Sequence, residues 1–390
     1  NTEYIPDEKE KVVSPAEQID ALLHSKEHES SHYNFEKDVT YKLSMGSLNL
    51  DMVVGGLGPG IHRFCGEKET GKTSEALEVM RQFFLTQSDG MGIYVKCEGR
   101  LSKNMMERSG IKFVTNTAEW VEGTCFVFES NIFEAVFTMF KNLVMVNPTK
   151  RKYFGIVDSL DTMIKKGDLE KGFGDAHQVA GGPVILSHFF KNLALPINKF
   201  GHLIIFMSQK RVDIPISKYA PARKESFSGG NAALHQADFT LQFMPRNLSD
   251  FILSRPPAKG SDGKPSESSR PTLENPALGH VVTVRIEKSS NEKTGLDVSY
   301  PVRYFQKGGK SVWIEHEIAE QLIMNGLVVK KGSWFNLSNI IPLLEEKVGE
   351  NHGVPAQIQG ETALKKIIGD NEKCKSVLYD YLQSALQKTW

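Results

Sequence analysis

Residues 66 to 73 read Gly66-Glu67-Lys68-Glu69-Thr70-Gly71-Lys72-Thr73, and no other stretch restricts the fold and chemistry of the chain so tightly. The two glycines permit backbone conformations closed to residues with a Cβ, so that successive N–H groups can turn inward around an anion. Lys72 then places a cation on the β- and γ-phosphates of a nucleoside triphosphate, and the Thr73 hydroxyl can ligate Mg²⁺. Ser74 comes next, in the first helical turn. Such a loop needs a strand before it and a helix after it, whose N-terminus adds positive potential. His62-Arg63-Phe64-Cys65 and the amphipathic run Thr73–Leu85 supply both. The plainer alternative is a glycine-rich turn beside an unrelated lysine.

The surrounding chain alternates short apolar runs with longer helical patterns, the signature of βαβ units around a mainly parallel sheet. Strands are expected at Gly60–Cys65, Gly92–Cys97, Thr124–Phe128, Tyr153–Val157, His202–Met207, Phe239–Met244, Val281–Ile286 and Ser299–Phe305, with helices at Asn131–Met145 and His177–Pro196. Three domains are expected: a polar arm over 1–46, with a helix-like piece at Ala16–Leu23, an ATPase core over 47–309, and a small α-rich C-terminal domain over 310–390. In the last, helices are expected at Glu315–Asn325, Leu337–Val348, Gly360–Ile368 and Glu372–Gln387. Residues 245–276 carry Pro256, Pro257, Pro265 and Pro271 among Ser, Gly and Lys and read as a flexible excursion between two strands.

A phosphate loop needs a second metal-binding oxygen, and Asp158 closes the apolar strand Tyr153–Val157 where α/β sheets present ligand groups. A strand-terminating aspartate of no special role would look the same. Glu98 ends the strand Gly92–Cys97 at the same edge and is the candidate general base for water, against the reading of a surface carboxylate. Gln209, just past His202–Met207, can touch the γ-phosphate and report it to the segment beyond. That segment is basic: Lys210, Arg211, Lys218, Arg223 and Lys224 against Asp213 and Glu225, a candidate ATP-gated DNA-binding segment or a solvated charged loop. A second loop, from Lys165 and Lys166 through Lys171 to Asp175, is rich in glycine and could approach a nucleic-acid backbone.

Composition limits the rest. Lys+Arg and Asp+Glu both number 47, so nucleic-acid affinity must come from a local patch. The apolar runs are too short to span a bilayer. The acidic N-terminus lacks a secretory h-region, and four scattered cysteines without a CxxC pair suggest thiols in a reducing compartment.

Taken in order, these features resemble the RecA family of homologous-recombination ATPases, including its phage UvsX-type recombinases, over roughly residues 40–390. Phe227-Ser-Gly229-Gly230-Asn231-Ala232 is similar to the motif closing the family's second DNA-binding loop, and Gly172–His177 to the end of its first. The resemblance implies a RecA-type core, a catalytic role for Glu98, and γ-phosphate sensing by Gln209. It makes Lys288 a cation reaching a neighbouring subunit's nucleotide, with Lys293 second. Met105 stands where the family stacks a tyrosine on adenine. Gly326–Phe335 and Gln359–Ala363 resemble the family's C-terminal domain. The implied activity is DNA-dependent ATP hydrolysis with Mg²⁺, by helical filaments on single-stranded DNA that pair it with homologous double-stranded DNA. The implied setting is bacterial cytoplasm or a phage-infected host, with a single-strand-binding protein and a mediator as further partners. A hexameric helicase on the same core and a non-catalytic ATP-binding mediator are the alternatives.

Overall fold

The computed structural model describes residues 19, 40–99, 101–169, 171, 181–211, 226–227, 236–255 and 270–386. The chain divides after Val39, and the fold is that of the unit from Thr40 onward. In chain order its elements begin with α1 (Leu48–Val54), β1 (Gly60–Gly66), α2 (Lys72–Thr86), β2 (Gly90–Lys96), α3 (Lys103–Ser109), β3 (Lys112–Val114) and β4 (Thr124–Glu129). They continue through α4 (Phe133–Met145), β5 (Lys152–Asp158), α5 (Gly181–Lys199), β6 (Leu203–Arg211), β7 (Ser226–Phe227), β8 (Phe239–Phe243) and β9 (Phe251–Leu253). The long strand β10 (Ala277–Lys288) and β11 (Asp297–Arg303) complete the core. The C-terminal part holds α6 (Ile314–Met324), β12 (Val329–Lys331), β13 (Trp334–Asn336), α7 (Ile341–Val348), β14 (Gln357–Gln359), α8 (Glu361–Asp370) and α9 (Glu372–Leu386).

One large sheet runs β11-β10-β8-β1-β6-β5-β2-β4-β3, with β7 added to β6 and β9 to β10. From β8 to β3 every pairing is parallel, while β10 and β11 add an antiparallel edge. β1, the first six residues of β2, and β8 are buried throughout, as expected where helices cover both faces of a parallel sheet. The fold is thus α/β with a mainly parallel sheet.

Two apolar layers sandwich that sheet. On one face Ala76, Leu77, Val79, Met80 and Phe83 of α2 pack with Phe64, Phe154, Met207 and Leu241. On the other, α4 presents Phe133, Val136, Phe137, Phe140 and Val144, and α5 presents Leu186, Phe189, Phe190, Leu193 and Ile197. Both sets keep the i, i+3, i+4, i+7 spacing that gathers side chains on one helix face. Burying a phenylalanine of this kind contributes roughly 1.5–3 kcal/mol, so this layer of rings fixes the two helices firmly. Leu43 and Met45 are fully buried in the α2-side layer, and Leu43 bridges Leu57. A third cluster joins α6 to α9, and α1 contributes to two of the three: Leu50 and Val54 to the α2-side layer, Leu48 to the C-terminal one.

Several elements differ from the sequence expectation. α5 continues past Pro196 to Lys199, because a proline one turn from the end removes a single donor and the helix closes after it. The C-terminal region holds the small antiparallel sheet β12-β13-β14 beside its helices. The two ends of the 245–276 excursion are ordered: Asn247 and Asp250 form a reciprocal capping box, and Phe251–Leu253 pair with β10. The helix-like piece at Ala16–Leu23 lies, except for Ile19, outside the described residues. No described helix is long and apolar enough to cross a membrane.

Candidate nucleotide site

β1 delivers the chain to Gly66 at the carboxyl edge of the sheet. The backbone there takes φ 144°, and a Cβ would stand 2.3 Å from the Phe243 carbonyl oxygen, so glycine is required. Gly71 caps α2 in the left-handed region at φ 104°. Between them Glu67, Lys68 and Glu69 are exposed and Thr70 is buried, its hydroxyl donating to the Glu67 carbonyl at 3.0 Å. The Lys72 ammonium donates to the Gly66 carbonyl at 3.1 Å and to the Glu67 carbonyl, which holds it across the mouth of the loop. Burial pulls its pKa down, and Asp158 first among its neighbours opposes that.

Register brings the remaining groups to the same edge. Gly66 pairs with Gln209 between β1 and β6, and Lys96 with Asp158 between β2 and β5. The Thr73 hydroxyl donates to Asp158 Oδ2 at 3.0 Å, and the Tyr94 hydroxyl donates to the same oxygen at 2.6 Å. Burial raises the Asp158 carboxyl, while those two hydroxyls and then Lys72 oppose the rise. A hydroxyl and a carboxylate converging at the head of a phosphate-loop helix are the hard oxygen donors that Mg²⁺ takes. Among the described residues no cluster of three or more His, Cys, Asp or Glu could hold a metal. Thr73 and Asp158 are the residues that would hold Mg²⁺ here.

Glu98 lies two residues past β2. Its Oε1 accepts the Ser159 hydroxyl at 2.7 Å and the Gln209 side-chain amide at 3.2 Å. The Gln209 backbone N–H donates to Asp161 Oδ2 at 2.6 Å, so both ends of that glutamine are held. Met105, on α3, is half-buried against the α2-side layer and lines a cleft with Gly71, Ser74, Arg108, His280 and Gly309.

The other sequence candidates fall elsewhere. Lys288 ends β10, where it pairs with Thr240, while Gly66 is level with Phe243. Three residues of strand, roughly 10 Å, separate those levels. Lys288 therefore sits toward the amino end of the parallel strands, away from its own phosphate loop, its ammonium donating to the Ala237 carbonyl at 2.6 Å. The Lys293 N–H donates to the Ser289 hydroxyl at 2.9 Å in the next turn. Lys166 is exposed, Lys165 is half-buried, and Lys171 pairs with Asp168 at 2.7 Å. Lys210 and Arg211 extend β6 instead of opening a loop, and β7 folds back on them, Lys210 opposite Phe227. Lys218, Arg223, Lys224, Gly229, Gly230, Asn231 and the Gly172–His177 string lie outside the described residues.

Four groups at the site were missed by sequence reasoning: Tyr94 and Ser159, Asp161 beneath Gln209, and Arg246. The Arg246 guanidinium donates to the Glu69 carbonyl at 3.3 Å and to His280 Nε2 at 3.0 Å. Burial pulls His280 down to about 4, with Arg246 and Arg108 adding to the effect, consistent with a neutral ring accepting that bond. An arginine directly after a proline and a tyrosine inside an apolar strand carry no signal of their own until the strand order is known; Met244-Pro245-Arg246 reads as a simple loop entry.

No protein-family model matches the chain. Among curated proteins it is similar to Protein RecA of Syntrophobacter fumaroxidans, 24% identical over 299 residues covering 76% of this chain and 74% of the relative. It is also similar to Protein RecA of Pseudomonas savastanoi pv. phaseolicola, 23% identical over 349 residues, 86% of this chain and 79% of the relative. The DNA repair protein recA homolog 3, mitochondrial, of Arabidopsis thaliana is 24% identical over 346 residues, 88% of this chain and 67% of the relative. Similarity at this level over most of the chain, on an α/β core with the phosphate loop at its carboxyl edge, supports a place in the RecA family.

Proposed function

We propose that the chain is a DNA-dependent ATPase of recombination and repair that polymerises on single-stranded DNA and promotes pairing and exchange with a homologous duplex. The observation that carries this reading is the Gln209–Glu98 bond of 3.2 Å, with β6 running directly from Gln209 into Lys210 and Arg211. It ties the group that would meet the γ-phosphate to the group that would activate water, and both to a basic strand end. Lys72 binds the phosphates of ATP, Thr73 and Asp158 hold Mg²⁺, and Glu98 accepts the proton of the attacking water as the bond to the γ-phosphorus forms. The bridging β–γ oxygen leaves with its electron pair. When bound, Mg²⁺ supplies charge neutralisation on the phosphate oxygens.

The position of Lys288 supports a site completed by a second copy. A cation toward the amino end of one copy's strands can face the carboxyl edge of the next in a head-to-tail assembly, which propagates as a helix unless its rotation closes. The likeness of the Ile286–Ser290 segment to phage UvsX-type recombinases supports a phage protein acting in bacterial cytoplasm, with a single-strand-binding protein and a mediator as partners. Electron microscopy with single-stranded DNA and a slowly hydrolysed ATP analogue tests the assembly. Helical filaments are expected, and closed rings alone would overturn the recombinase reading.

A further inference from the structure

β1 is buried along its whole length, yet its fourth residue is an arginine. Arg63 is 2% exposed and heads the fully buried side chains by volume. Strand alternation puts it on the face of Ile61, whose layer is closed by the phenylalanines of α4 and α5. A guanidinium cannot shed its proton to suit an apolar site, so one buried there needs its donors and its charge answered. Nε donates to the Ser208 hydroxyl at 3.0 Å, and Ser208 is itself fully buried. Burial weakens the cation, and Cys65 and Asp161 lie close enough to oppose that.

Ser208, its hydrogen-bond partner, and the nearby Asp161 lead to one residue. Ser208 immediately precedes Gln209 in β6, and Asp161 accepts the Gln209 N–H at 2.6 Å. Gln209 in turn donates to Glu98. Asp161 sits in the single turn Leu160–Thr162, four residues before Lys165 and five before Lys166. Arg63 thus lies beneath the junction of the γ-phosphate edge and the segment that opens onto those lysines.

We propose that Arg63 is a positioning residue, which fixes Ser208 and Asp161 around Gln209 so that DNA bound near Lys165 and Lys166 sets the rate of ATP hydrolysis at Glu98. The inference rests on the proposed DNA-dependent ATPase activity. It assigns no contact between Arg63 and nucleotide. Its effect should therefore appear in turnover and not in nucleotide affinity.

The test compares the full chain with Arg63→Met, Ser208→Ala and the double variant. The measurements are steady-state ATP hydrolysis with and without single-stranded DNA, binding of a fluorescent ATP analogue, and thermal melting. Both single variants should bind the analogue within about twofold of the parent and lose about tenfold of the DNA-stimulated kcat at unchanged KM. The double variant should be no worse than Arg63→Met, because the two act as one unit. DNA stimulation in the parent that persists in Ser208→Ala and Arg63→Met overturns the inference and leaves the functional reading standing. Absence of stimulation in the parent itself overturns the functional reading and the inference with it. If Arg63→Met does not fold, Ser208→Ala decides alone: it deletes only the hydroxyl, and full stimulation in it contradicts the proposal.

Discussion

The two faces of the central sheet treat buried charge in opposite ways. On the side covered by α2, beside the Glu78–Arg81 ion pair, three further carboxyls are buried against hydroxyls and backbone N–H groups. Glu75 accepts the Tyr300 hydroxyl at 2.6 Å. Asp51 accepts the Ser44 hydroxyl at 2.5 Å, the Met45 N–H at 2.6 Å and the Tyr379 hydroxyl at 2.8 Å. Glu317 accepts the Ser47 hydroxyl at 2.6 Å and the N–H groups of Leu48 and Asn49 at 3.2 and 3.1 Å. Burial raises all three, Glu317 to about 8. On the side covered by α4 and α5 the buried group is a permanent cation, Arg63, with Asp161 near it.

The contrast reflects the work of each face. Glu75 lies in the first turn of α2, directly under the phosphate loop, where an ionised carboxylate would repel a triphosphate. Burial favours its protonated form, and its bond to Tyr300 ties α2 to β11. Asp51 and Glu317 likewise join α1 to α9 and α6. The opposite side meets the proposed γ-phosphate edge through Gln209, where a fixed cation near Ser208 and Asp161 would do no such harm.

The largest effect should come from the edge the two faces share. Glu98→Gln removes the proposed proton acceptor, and single-turnover hydrolysis should fall by about 10²–10⁴-fold while analogue binding persists. An unchanged rate would move the base elsewhere and detach the Gln209 face from the chemistry. Next in size is the direct contrast between faces. Arg63→Met strips a buried cation from its partners and should lower unfolding free energy by on the order of 3 kcal/mol in denaturant titrations. Glu75→Gln keeps the side chain's shape in a site where burial favours the uncharged form, and should cost under about 1 kcal/mol. Equal losses would break the comparison, since Glu75 would then be held as an anion.

The smallest effect is a slope. The folded pKa of Glu317, about 8, lies above the ordinary value near 4.3, so the folded chain holds a proton that the unfolded chain releases. Its contribution is complete below the unfolded pKa and is lost as pH rises toward 8. Linkage sets that loss at about 1 kcal/mol per pH unit between the two pKa values. Melting of Glu317→Gln between pH 5 and 8 should be flatter than that of the parent by that amount. An unaltered slope would show the carboxyl ionised in the fold.

How much of this was legible in sequence depends on whether the partners are neighbours in the chain. The phosphate loop is contiguous, so Gly66, Gly71, Lys72 and Thr73 declare its shape and the chemistry proposed for it. Asp158, Glu98 and Gln209 were readable because each ends an apolar run, and parallel strands bring such ends to one edge. Tyr94 and Asp161 were not, because they act across strands whose order no local pattern specifies. Arg63 was hidden in another way: within a four-residue run before the loop, one charged residue reads as strand exposure until β1 is seen to be central. The C-terminal strands β12, β13 and β14 are three residues each, too short for alternation to register beside the helical spacing around them. Phe251–Leu253 was masked by its proline-rich flank, although only pairing with β10 was needed to order it.

At the heart of the proposed mechanism is a nucleotide site shared by two copies, one giving Lys72, Asp158 and Glu98 and the next giving Lys288. Lys72→Ala and Lys288→Ala should each abolish DNA-stimulated hydrolysis alone. Mixed in equal amounts on single-stranded DNA, they should recover hydrolysis at about one quarter of the interfaces, where an intact loop meets an intact Lys288. No recovery in the mixture, with both variants shown to co-assemble, would contradict a shared site.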